Sequence, residues 1–197
     1  MAPKKSIWLD FFACFLIPAY TLLFAGTVQW FGTNFSVLAV TGPKHYRGFL
    51  LWGLMAGSFF LVMLYRLSGT CAQRRQQTWV RGVTVVACGS LISAIMVPYL
   101  PAYFPRYAKF HIVLAFAACV LLMVAILSLL LWWEKEGGGY YKRQMTIWKL
   151  IVAGSGLIFW IGGMVTTALE VFFTITTTLL VRKLWLVRVV HRNGGED

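Results

Sequence analysis

Charge is what this sequence has least of. Only 12% of its 197 residues are charged, where a soluble domain carries roughly a quarter. Acids are rarest, with six Asp and Glu in the whole chain. The four cysteines, Cys14, Cys71, Cys88 and Cys119, show no CxxC or CxH spacing, so no disulfide framework is expected. Cys71 alone lies outside an apolar run and is expected as an exposed, reduced thiol. There is no HxxxH, HExxH or GxSxG pattern and no Gly-rich phosphate loop. No metal and no cofactor is therefore expected, although two His and a carboxylate (His45, His111, Glu170) are a set that zinc can use. Alternation of apolar and polar residues is also missing, which excludes a transmembrane barrel.

What the chain has instead is apolar length. Hydrophobic residues make up 59% of it, and several runs reach the roughly 20 residues a helix needs to cross a bilayer. The expected fold class is all-α, a single membrane domain over residues 1–197. The formal charge of +12, from 18 Lys and Arg, lies mostly in loops and tails. There it sets orientation and attracts anionic head groups at the cytoplasmic face. No nucleic-acid-binding motif accompanies it, so nucleic acid is not an expected partner.

Six spans are predicted, at about 7–26, 48–65, 82–98, 110–133, 145–163 and 167–185. The first follows Lys4 and Lys5 without a small-residue cleavage pattern and reads as a retained span. Asp10 is expected near those lysines with its charge reaching water. Pro18 predicts a kink, because it lacks a donor and crowds the preceding turn. Gly48, Gly53, Ala56 and Gly57 offer close helix contact. Trp30, Phe31 and Phe35 give the first outer loop an interfacial character, and Asn34-Phe35-Ser36 fits a glycosylation sequon. Gly137-Gly138-Gly139 stops the fourth span.

From Met145 to Val190 the chain is almost continuously apolar. One helix of that length would measure roughly 69 Å, more than twice a hydrocarbon core. Gly162-Gly163, followed by Val165-Thr166-Thr167, is the best place for a break. Loop charge supports it. With six spans and both termini cytoplasmic, fourteen basic residues fall inside and four outside (Lys44, Arg47, Arg106, Lys109), a strong positive-inside bias.

That topology gathers polar groups in the outer half of the bundle. Glu170, Thr174, Thr177 and Thr178 share one helix face by their spacing, and His111 opens the fourth span. An acid at membrane depth is a functional candidate by default, so His111 and Glu170 are the candidate catalytic pair. Asn34, Ser36, Tyr46, Arg106, Thr174 and Thr177 are the candidate lining of an outward-facing pocket. Ser36, His111 and Glu170 can also be assembled as a Ser-His-carboxylate set. The plainer readings are that Glu170 pairs with Arg106, Lys109 or His111 to lock the outer rim, and that the threonines bond back to carbonyls four residues earlier.

The Thr33-Asn34-Phe35-Ser36 loop before span two, the Pro-rich loop running from Phe104-Pro105 to His111, and the polar outer end of span six carry a resemblance. The chain resembles six-span DRAM/Sfk-type proteins and the related GPI-anchor-remodelling proteins. The resemblance implies a six-helix bundle and lipid handling at the outer leaflet. The expected function is thus that of a cell-membrane protein that binds or modifies a lipid or amphiphile at an outward pocket. The alternatives are a structural or regulatory subunit with a membrane-protein partner, and a small transporter.

Overall fold

The computed structural model describes residues 7–26, 28–137 and 139–193, with side chains as far as residue 189. Lys4, Lys5, Gly138 and the side chain of Arg192 lie outside the described residues. Those residues form helices and loops, with no strand among them. The first helical stretch is α1 (Ile7–Phe11), a π-helical turn (Phe12–Leu16) and α2 (Ile17–Ala25). Then come α3 (Phe35–Ala39), α4 (Pro43–Ser68), α5 (Arg74–Met96), α6 (Pro105–Gly137), α7 (Lys142–Gly162) and α8 (Thr167–Asn193).

Five helices are long and apolar enough to cross a membrane: Ile7–Ala25, α4, α5, α6 and α7. The helices outrun the apolar cores read from the sequence, because polar flanking residues continue the turn until a Gly or Pro ends it. The expected disturbance around Pro18 is present as the π-helical turn, with Pro18 in the first turn of α2. A proline cannot donate to the carbonyl four residues back, and one wide turn accommodates that missing bond. The expected break between the last two apolar segments is also present. α7 ends at Gly162, and Gly163 caps it in the left-handed region at φ 65°. Glycine enters that region without the steric penalty other residues meet.

α4, α5 and α6 pack in chain order, and α8 returns to lie against α2, α4 and α7. Of residues 167–189 only Leu179 is exposed, so α8 is the most enclosed helix of the bundle. Enclosure explains its composition. Any 18-residue stretch of α8 includes at least three of Glu170, Arg182, Lys183 and Arg188. A helix facing lipid would not tolerate that, and a helix facing protein can. α7 is the opposite case: 6% of its most apolar stretch is buried.

Two apolar cores hold the helices. Beneath the α7–α8 turn, Ala25, Phe35, Phe49, Trp52, Ile95 and Val171 pack together. The larger core, toward the other end, includes Leu64, Leu67, Ile126, Leu129, Trp133 and Leu184, all fully buried. We refer to these as the hairpin end and the tail end. Gly53 faces Ile95 so closely that an added Cβ would collide with it, which is the close α4–α5 contact that small residues permit.

Candidate functional site

At the hairpin end the loop before α4 is tied to the start of α8 in both directions. α8 begins with two backbone donors that no carbonyl of its own can satisfy. Thr167 N–H donates to the Thr33 carbonyl at 2.7 Å and Ala168 N–H to the Trp30 carbonyl at 2.9 Å. In return the Glu170 carboxylate accepts from Phe35 N–H, the first donor of α3, at 2.7 Å. Asn34 caps α3 by accepting from Val37 N–H at 2.9 Å, as short polar residues do at this position. Its amide nitrogen donates to the Val165 carbonyl at 3.2 Å. Both halves of the Asn34 amide are thereby engaged and the residue is buried, which leaves the sequon no free side chain to glycosylate.

Phe35 corrects one expectation. It is fully buried rather than interfacial, its ring set edge-on to Phe24 and Trp52 at 5.0 Å each. Trp30 and Phe31 stay exposed. The difference is position: Phe35 belongs to α3, most of which is buried, and its side chain joins the hairpin-end core.

The next residue reaches the other candidate. Ser36 Oγ lies 2.8 Å from His111 Nε2. His111 Nδ1 lies 2.7 Å from the Ala94 carbonyl and 2.8 Å from that of Val97. Carbonyls only accept, so Nδ1 carries the hydrogen, and in the neutral imidazole Nε2 accepts from the Ser36 hydroxyl. Ala94 and Val97 sit at the C-terminal end of α5, where the last carbonyls lack helical partners. His111 therefore caps α5 from the first turns of α6, with the Tyr99 ring 5.6 Å away.

The structure thus places Asn34, Ser36, His111 and Glu170 in one cluster. His111 and Glu170 have no hydrogen bond to each other; they are joined through consecutive residues of α3, Ser36 and Phe35. Glu170 takes a backbone donor where the sequence suggested Arg106, Lys109 or His111. Arg106 and Lys109 are exposed, and among the described residues neither forms an ion pair. Tyr46 is half-buried against the hairpin-end core. Thr174, Thr177 and Thr178 are buried as their spacing implied, but the hydroxyls of Thr177 and Thr178 have no hydrogen-bond partner. Only Thr176 in that run bonds back, to the Phe172 carbonyl at 2.6 Å. His45 is exposed beside Thr41. Among the described residues, no three His, Cys, Asp or Glu side chains gather as a metal site would need.

The tail end is pinned by α8 as well, through residues the sequence marked only as topological charge. Arg188 donates to the Thr70 carbonyl at 2.8 Å, to Tyr141 Oη at 3.2 Å and to Glu136 at 3.0 Å. Its guanidinium lies 5.0 Å from the Trp133 ring centroid. Asp10 pairs with Arg182 at 2.7 Å and keeps part of its surface in solvent; its expected neighbours Lys4 and Lys5 lie outside the described residues. Cys71 is buried here rather than exposed. Burial, with the Glu136 carboxylate adding to it, pushes its thiol up to about 11. A clue to this network existed in the sequence: Glu134 and Glu136 are acids close to the basic residues Lys135, Lys142 and Arg143.

Two clefts stand out, and neither is lined by the hairpin-end cluster. One of about 1070 Å³ lies between α5 and α6 toward the tail end. One of about 340 Å³ lies between α7 and α8. The outward-opening pocket expected among Asn34, Ser36 and Glu170 is not one of these.

The class these features define is an all-helical chain whose five long apolar helices are compatible with a polytopic membrane protein. No protein-family model, curated protein or solved structure matches the chain.

Proposed function

We propose that this chain is a six-span protein of a cell membrane, both termini cytoplasmic, that serves as a non-catalytic structural or regulatory component in contact with membrane lipid. α8 supplies the sixth span. Its 27 residues give roughly 40 Å of helix, enough to cross a hydrocarbon core of about 30 Å. The excess of basic residues on the tail side supports the orientation.

The observation that carries the functional reading is the mutual satisfaction of the hairpin-end cluster. Glu170, Asn34 and His111 spend their hydrogen bonds on helix ends of the same chain. That is the arrangement of a clasp. Its test is thermal unfolding of the purified protein in detergent. Glu170→Ala orphans the Phe35 N–H and should cost about 1–3 kcal/mol. Glu170→Gln keeps an acceptor and should cost less. Equal stability of both variants and the parent would remove the clasp.

One observation favours a second reading. A hydroxyl 2.8 Å from an imidazole whose other nitrogen is held by carbonyls has the geometry of a nucleophile and its base. An enzyme acting on an amphiphile at the outer leaflet would use it so, in line with the resemblance to GPI-anchor-remodelling proteins. A fluorophosphonate probe applied to membranes separates the readings. Labelling of Ser36 that His111→Gln abolishes would establish the enzyme; an unlabelled Ser36 is what the clasp predicts.

A further inference from the structure

The larger cleft, between α5 and α6, has a polarity that runs along its length. At its tail-end mouth stand Arg74, Arg75 and Gln76; farther along are Val83, Val86 and Leu121, with Trp79 and Trp132 on its walls. From residue 75 to residue 86 α5 rises roughly 16 Å, so charge and apolar surface are separated by three helical turns. At about 1070 Å³ the cleft is at the top of the range of roughly 300–1,000 Å³ that holds whole organic ligands. Part of its length is kept open by Gly82, where an added Cβ would meet no atom within 4 Å.

The charge at the mouth is uncommitted. Arg182 and Arg188 are paired with acids, and Arg81 is held by Ser68 and the Tyr65 ring. Arg74 and Arg75 are exposed and form no ion pair among the described residues. They also sit in the first turn of a 23-residue helix whose N-cap makes no side-chain hydrogen bond, where the helix dipole favours an anion. Guanidinium groups match phosphate oxygens bidentately, and tryptophans favour the membrane interface.

We propose that this cleft is a binding site for an anionic phospholipid of the cytoplasmic leaflet. The phosphate sits at Arg74 and Arg75, and an acyl chain runs past Gly82 toward Val86 and Leu121. The inference rests on the membrane-embedded reading above and names the lipid class and its place.

The test uses the full chain in detergent, titrated with phosphatidylglycerol or phosphatidylcholine and read by native mass spectrometry. Each basic residue near a membrane surface contributes about 1 kcal/mol toward anionic lipid, so phosphatidylglycerol should be preferred by roughly 30-fold. Arg74→Gln with Arg75→Gln should erase that preference. Gly82→Leu should weaken binding of the lipid with both arginines in place, and it carries the test alone should the double variant not fold. An undiminished preference in the double variant, or undiminished binding in Gly82→Leu, overturns the site. So does competition by inorganic phosphate at the affinity of the lipid, which would make the ligand a free anion. Failure of the parent chain to enter lipid nanodiscs would instead defeat the membrane reading itself. A chain that enters nanodiscs and shows no preference defeats only the lipid site.

Discussion

Glu170 acquires its meaning from a backbone donor. As a residue in an apolar run it demands a partner, and cationic side chains were the obvious candidates. The partner is Phe35 N–H at 2.7 Å, the first donor of a five-residue helix that has no earlier turn to bond. Backbone donors leave no trace in a sequence, so the acid was legible and its partner was not. Cys71 makes the same point by burial. Its neighbours in sequence are polar, but the Arg188 guanidinium ties the α4–α5 loop to Tyr141, just before α7, and to Glu136 at the end of α6. Its thiol, pushed up to about 11, is protonated throughout neutral pH, and only the thiolate is a good nucleophile. In a variant retaining Cys71 alone, iodoacetamide should react slowly at pH 8 and accelerate only as pH approaches 11, read by mass spectrometry. Rapid labelling at pH 8 in folded protein would contradict the burial.

At the scale of elements, the α7–α8 turn was readable because length forced a break and glycine offered one. The charge count pointed the same way, since a break there would put Arg182, Lys183 and Arg188 on the side expected of the other basic loops. The turn allows a clean test. Gly163 stands at φ 65°, and a Cβ there would meet nothing within 4 Å. Any cost of substitution is therefore conformational rather than steric crowding by neighbours. Gly163→Val should lose about 1–2 kcal/mol in thermal unfolding. Gly163→Asn should lose less, because Asn visits this region more readily. Identical losses would mean the left-handed cap is not what ends α7. Gly162 differs, since a Cβ there would come within 2.8 Å of Thr166. The enclosure of α8 was less legible. Its face of one acid and three threonines pointed inward, but that only Leu179 of its residues 167–189 stays exposed follows from the return of the chain against α2, α4 and α7.

At the scale of the whole molecule, α8 ties the first helix, α4 and α7 together. At one end it exchanges helix caps with the loop before α4. At the other, Arg182 holds the first helix through Asp10, and Arg188 holds two loops. A long helix with at least three charged residues in any 18-residue stretch is thus the one with most protein around it. The measurement that tests this most directly is side-specific labelling in intact cells or sealed vesicles. Single cysteines at Phe31, Met164 and Ala72, all exposed, would be introduced into a cysteine-free chain, with a reporter appended after residue 197. A membrane-impermeant maleimide should label positions 31 and 164 from outside. Position 72 and the reporter should respond only after permeabilisation. A reporter on the same side as position 164 would mean that α8 does not cross, and the account of it as the sixth, central span would fail.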